Sequence, residues 1–328
     1  MRLPRIHRAA LAIALLCVLG SRQTARAVIF YSTSDPNFNT SAPTGSLANS
    51  GWQWVGIKGD YAATAIGPNY FLSAKHIGGN VGDPFVFDGV TYTTVAYYDD
   101  PETDLRIWQV DKTFPKWAPL YRGSSEEGNS LVVCGTGFPR DGNVMVNGSL
   151  AGWHWDLSGT RPLRWGTNTV NSIVPGGTGY GDLLYAVFQQ GTGDPNESDL
   201  ADYDSSGPVF INDGTGWKLA GVNLAVDGPF YTSMDVNTAF FAALFDARGL
   251  YLYNIYTKVW TPISGGSAVP SGFYATRVSV RAGWIDSITQ SPAGSPLFTG
   301  WEAVVFAVLL VGSGLLSLRL LGRVSSTT

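Results

Sequence analysis

From Trp52 onward the apolar residues gather into short runs broken by turn-forming residues: WQWVGIKG, YAATAIGPNYFLSAK, FVFDGVTYTTVAYY, DLRIWQVD, SLVVCGTG, LLYAVFQQ, PVFIND and WKLAGVNLAV. Each run is strand-length, rich in β-branched or aromatic residues, and bounded by Gly, Asn, Asp or Pro. Their spacing predicts an all-β sandwich or barrel. Helical periodicity is scarce; one stretch, NTAFFAALFD at 237–246, reads as a short helix. Residues 140–180 and 246–272 are Gly-rich and read as loops. Residues 28–50, dense in Ser, Thr, Asn, Pro and Gly, read as an extended arm that wraps or dangles.

The two ends carry longer apolar runs. Arg2, Arg5 and Arg8 precede AALAIALLCVLG, and Ala25-Arg26-Ala27 follows, so residues 1–27 have the layout of a secretory signal peptide. The alternative, an N-terminal anchor helix, needs a longer span than this. Near the other end AVVFAVLLVGSGLLSL is free of charge and is followed by Arg319 and Arg323. With its flanks it reads as a membrane-spanning helix over 302–321, its basic end cytoplasmic, with a spacer at 291–301. A buried C-terminal helix is the alternative. The layout resembles the C-terminal sorting tails of bacterial surface proteins of the PEP-CTERM class, without the Pro-Glu-Pro signature.

Composition narrows the class. Of 328 residues, 45% are hydrophobic and 14% charged, with 40 Gly and 18 Pro, which suits a turn-rich, exported β protein. Removal of residues 1–27 takes away five arginines and no acid. That leaves 16 basic against 25 acidic residues, a net charge of −9 in place of −4. No basic patch points to nucleic acid. Beyond residue 27 the one cysteine is Cys134, so no internal disulfide is expected. His76, His154 and Cys134 are too scattered to hold a metal, and no cofactor is implied.

Three local patterns carry candidate chemistry. His76 sits where the run FLSAK gives way to Gly78-Gly79, a strand end that fixes the backbone and exposes a ring able to exchange a proton near neutral pH. Asp104 opens the apolar run LRIWQV, where an acid can be partly buried and accept a hydrogen bond. Asp204-Ser205-Ser206-Gly207-Pro208 is a tight turn ahead of the strand VFI, a rigid frame for an exposed nucleophile. Taken singly these are a surface histidine, a loop acid and a β-turn.

In the order His, Asp, Ser they resemble the trypsin-like (chymotrypsin-fold) serine proteases. Ser73-Ala74-Lys75-His76 is similar to the family's histidine motif, Asp104-Leu105 to its aspartate motif, and Asp204 to Pro208 to its GDSGGP turn. Ala63-Thr64-Ala65-Ile66, Leu219-Ala220-Gly221-Val222 and Phe273 to Val278 with Trp284-Ile285 match flanking segments. The resemblance covers roughly residues 50–290. It implies two six-stranded antiparallel β-barrels, roughly 51–125 and 126–245, with a closing segment at 246–290. It implies Ser205 as nucleophile, His76 as general base and acid, and Asp104 as the group orienting the imidazole. The backbone N–H groups of Tyr203 and Ser205 would form the oxyanion hole.

The chain departs from the pattern where Tyr203 and Ser206 replace glycines, which crowds the turn and leaves Ser206 as an alternative nucleophile. Asp199, six residues before Ser205, matches the base of the family's specificity pocket, where it would favour Arg or Lys; as a solvated loop acid it would not. Val226 is placed to narrow that pocket. The function implied is an exported endopeptidase acting on protein or peptide substrates in the cell envelope or outside it, tethered through the C-terminal helix. The alternatives are a catalytically inactive relative serving as a surface binding module, and a β-rich adhesion module with a coincidental serine turn.

Overall fold

The computed structural model describes residues 28–158 and 161–290. Strands dominate: the helical segments among these residues are three-residue 3-10 turns and one α-helix, Ala282–Thr289. The first half closes into a six-stranded antiparallel barrel. Its neighbours run Val55–Lys58, Tyr61–Gly67, Tyr70–Ala74, Leu105–Val110, Val90–Asp99, Pro84–Phe87 and back to the first. The pairs Ile57↔Val86 and Lys58↔Phe85 close it. Burial in Pro84–Phe87 strictly alternates, as a strand with one buried face requires. The inward rings of Phe71, Phe85, Phe87, Tyr92, Trp108 and Phe114 form the barrel core. Phe71 and Phe85 stack 4.0 Å apart. Gly56 is needed there, since a Cβ would lie 2.4 Å from the Phe85 ring.

The second half does not form the expected closed six-stranded barrel. Its main sheet has seven strands, in spatial order Arg164–Thr169, Ser130–Gly135, Pro208–Asn212, Trp217–Val226, Gly272–Arg277, Asp182–Val187 and Ser172–Pro175. The supposed closing segment thus supplies a central strand. Much of 140–155 and 230–262 leaves this sheet and pairs elsewhere. Ala242–Leu244, Ser149–Trp155 and Arg140–Val146 make a three-stranded sheet. Ala239–Phe240, Phe230–Tyr231, Tyr251–Asn254 and Val259–Pro262 make a four-stranded one. These strands bury their own apolar cluster, with Val144, Phe230, Leu244 and Leu250 at its centre.

The helix expected at 237–246 is absent. Val236–Thr238 is a 3-10 turn, and the FFAAL run becomes two short strands that switch between those two sheets. A continuous apolar run satisfies either periodicity, and pairing partners on both sides decided for strand. The arm at 28–50 begins inside the protein: Val28, Ile29 and Phe30 are buried, and Ile29–Phe30 pairs with Ser198–Asp199. Phe38 packs edge-on against Phe30 at 5.0 Å.

The leader at 1–27, the spacer at 291–301 and the apolar tail at 302–321 lie outside the described residues. Among the described residues no helix is long and apolar enough to cross a membrane.

Candidate functional site

Strand register brings His76 and Asp104 together. Tyr70–Ala74 and Leu105–Val110 are antiparallel with Ala74 opposite Leu105, so the residues just past one strand end meet those just before the other. The Lys75 N–H donates to the Asp104 carbonyl at 2.6 Å. The Asp104 carboxylate then takes two N–H groups of His76: the backbone one on Oδ1 at 3.0 Å and ring Nδ1 opposite Oδ2 at 2.5 Å. Asp104 is buried and His76 exposed, so the acid is shielded while the ring reaches solvent. The loop before Asp104 is clamped in turn. Asp100, fully buried, receives Nε and Nη2 of Arg281, and the Lys75 ammonium donates to the Thr103 carbonyl. No local sequence pattern marks the roles of Arg281 and Lys75, which depend on contacts far apart in the chain.

Ser205 meets the other side of the ring, its Oγ 2.9 Å from His76 Nε2. Four nearby hydrogen bonds define its turn. The Ser206 N–H donates to the Asn223 carbonyl, the Gly207 N–H to the Asp204 carbonyl, and Asn223 Nδ2 to the carbonyls of Cys134 and Asp204. Gly207 is obligatory, since a Cβ would stand 2.0 Å from the Cys134 carbonyl. Tyr203 and Ser206, where the resemblance has glycines, do adopt left-handed φ values of 70° and 71°. That conformation disfavours side chains, so both carry backbone strain. Ser206 is fully buried with a hydroxyl that has no hydrogen-bond partner among the described residues, whereas Ser205 is the serine facing the histidine.

Tyr203 is held by its ring. It stacks on Tyr61 of the barrel at 5.5 Å, meets Phe138 edge-on at 5.1 Å, and lies 3.5 Å beneath the Arg161 guanidinium. Its N–H donates to Asp202 Oδ1 at 3.1 Å, while the Ser205 N–H makes no hydrogen bond among the described residues.

Asp204 is buried, its oxygens taken by the N–H groups of Gly137 and Ala201. Burial pushes its carboxyl up to about 7 although both N–H groups pull the other way. Asp199 does not form the base of a specificity pocket. It is 2% exposed, its backbone pairs with Ile29, and its carboxylate accepts from the Leu200 N–H and the Ser271 hydroxyl. Because the buried arm occupies this place, Asp199 faces the interior, neither in a pocket nor in a solvated loop. Val226 does line the pocket beside Ser205, together with Trp155, Leu200 and Phe241. A second hollow, bordered by His76, Tyr180, Leu183 and Tyr274, shares Leu224 and Ala225 with the first.

Burial pushes Asp199 from 3.8 up to about 8 and Glu197 from 4.5 up to about 7. In these windows the folded chain keeps protons that the unfolded chain has released, so stability is greatest below the unfolded value and falls as pH rises to the folded one. Asp199→Asn is therefore expected to raise the melting temperature at pH 8 and to leave it nearly unchanged below pH 3.8. Thermal melts at the two pH values check this; an equal shift at both would contradict the assignment.

No protein-family model matches the chain, and no curated protein matches it either. Among solved structures it is similar to kallikrein-related peptidase 10. The identity is 16% and the TM-score 0.44, over 75% of this chain and 99% of that one.

Proposed function

We propose that the protein is an exported serine endopeptidase of the trypsin-like class, with Ser205, His76 and Asp104 as its catalytic residues. The observation that carries this is the unbroken line from the buried Asp104 carboxylate through His76 Nδ1 and Nε2 to Ser205 Oγ, at 2.5 and 2.9 Å. Asp104 accepts a proton-bearing Nδ1, which leaves Nε2 with its lone pair toward the serine.

In the reaction Ser205 Oγ attacks the peptide carbonyl carbon as its proton passes to Nε2. The carbonyl oxygen gains the negative charge, which the N–H groups of Tyr203 and Ser205 receive. The carbonyl competes with Asp202 for the first of these. The imidazolium returns its proton to the leaving amine, and water then hydrolyses the acyl-serine with the same histidine as base. Export rests on the leader pattern at 1–27, and a membrane tether on the apolar run at 302–321.

Labelling of the detergent-purified full-length protein by a fluorophosphonate tests the assignment. Wild type and Ser206→Ala are expected to label, Ser205→Ala and His76→Ala not. Loss with Ser206→Ala alone would move the nucleophile by one residue. A folded wild type that does not label would instead favour an inactive relative, for which the Asp202 carboxylate on the Tyr203 N–H is the structural motive.

A further inference from the structure

We infer that the pocket beside Ser205 receives an uncharged apolar side chain, aromatic or branched aliphatic, from the residue on the acyl side of the bond that is cut. This rests on Ser205 being the nucleophile and names the substrate class of that site. The pocket is about 200 Å³. A dry cavity of about 150 Å³ lined by apolar side chains is enough to bind benzene, so one phenyl or isobutyl group fits. Its walls are Leu200, Val226 and the stacked pair Trp155 and Phe241, whose rings lie 5.2 Å apart at 20°.

The aromatic wall comes from segments outside the main sheet. Trp155 ends the strand Ser149–Trp155 of the three-stranded sheet, and Phe241 sits in the link between Ala239–Phe240 and Ala242–Leu244. The segments that leave the main sheet thus return to build one side of the pocket. Phe241 is 44% exposed, an aromatic face left open where the pocket meets solvent.

No carboxylate waits in the depth of the pocket for a lysine or arginine. Asp199 is not among the lining residues, and its oxygens are engaged by Leu200 and Ser271. Asp204 lines the pocket but has both oxygens on backbone N–H groups. Asp202 also lines it, as an exposed acid whose Oδ1 takes the Tyr203 N–H, so its charge stands in water. A cation entering would lose its hydration between apolar walls with no free carboxylate to meet it, and the buried Asn223 Oδ1, unpartnered among the described residues, is neutral. An acidic side chain would meet Asp202 and no Lys or Arg among the lining residues.

The test uses the full-length protein and peptidyl diphenyl phosphonates that differ only in the side chain at the reacting position: Phe, Leu, Lys or Asp. Intact-mass spectrometry follows the adduct on Ser205, with the fluorophosphonate, which carries no such side chain, as reference. The Phe or Leu reagent is expected to react at least about 100-fold faster than Lys or Asp, the order of discrimination a shaped apolar pocket supplies. Phe241→Ala is expected to slow the Phe reagent about tenfold or more, with little change for Lys. Val226→Asp is expected to raise the Lys rate. Wild type that takes the fluorophosphonate yet prefers Lys, or reacts equally with all four, overturns the apolar pocket and leaves the nucleophile standing. Phe241→Ala with an unchanged Phe rate overturns the aromatic wall. No reaction with any reagent, fluorophosphonate included, overturns both readings.

Discussion

Asp104→Asn is expected to lower kcat by about 10⁴-fold with little change in KM or in the melting temperature. The carboxylate accepts on both oxygens, from the His76 backbone N–H and from ring Nδ1. An asparagine has one acceptor and one donor, so it can serve one of these contacts and must oppose the other. If its amide oxygen stays on the backbone N–H, its NH₂ faces Nδ1 and favours the tautomer with the proton on Nε2. Ser205 then meets an N–H where it needs a lone pair. The geometry survives and the chemistry does not, which is why the loss belongs to kcat. Steady-state kinetics on an ester substrate check this, with circular dichroism as the folding control. A loss under tenfold would mean that the ring is oriented by something other than Asp104.

Arg277→Met is expected to destabilise the protein by about 3–5 kcal/mol, the usual cost of stripping the partner from a buried ion. Glu126 is fully buried and receives Nε and Nη2 of Arg277, both at 2.8 Å, with the Ser279 hydroxyl on the same carboxylate. Burial pushes its carboxyl up, but the hydrogen bonds from Arg277 and Ser279 outweigh that and hold it below its ordinary value. Without Arg277 the acid must stay charged in the interior with the Ser279 hydroxyl or take up a proton. Either way the central strand Gly272–Arg277 loses its tie to the turn before Ser130–Gly135. At about 2–4 °C per kcal/mol for a chain of this size, the melting temperature falls by roughly 10 °C. The double variant Glu126→Gln/Arg277→Met is expected to recover most of the loss, because no charge then remains buried. A single variant within about 1 kcal/mol of wild type would show that solvent reaches Glu126.

What the sequence made legible was local. His76, Asp104 and Ser205 each stood at a strand end or in a tight turn, and such punctuation is written in adjacent residues. The β class was legible for the same reason, since period-2 burial in a run such as PFVF is short-range. Pairing partners were not legible. The run FFAAL satisfies helix and strand alike, and only the strands on either side of it made it two strands. Asp199 misled because counting back from Ser205 locates a Cα but not the direction of a side chain, which the buried arm at Ile29 decides. The pocket wall of Trp155 and Phe241 joins residues 86 positions apart, which no local pattern announces.

The ring of Tyr203 has a consequence for how the protein would fail. Because it rests on Tyr61 of the barrel while its backbone belongs to the serine turn, the aim of its N–H depends on both halves of the molecule. Stacking of this kind contributes about 0.5–1.5 kcal/mol, far less than the cooperative stability of a domain. Warming would therefore loosen that alignment in a local opening well before the sheets separate. Activity would then fade gradually below the melting transition, an early and reversible dormancy in place of an abrupt end.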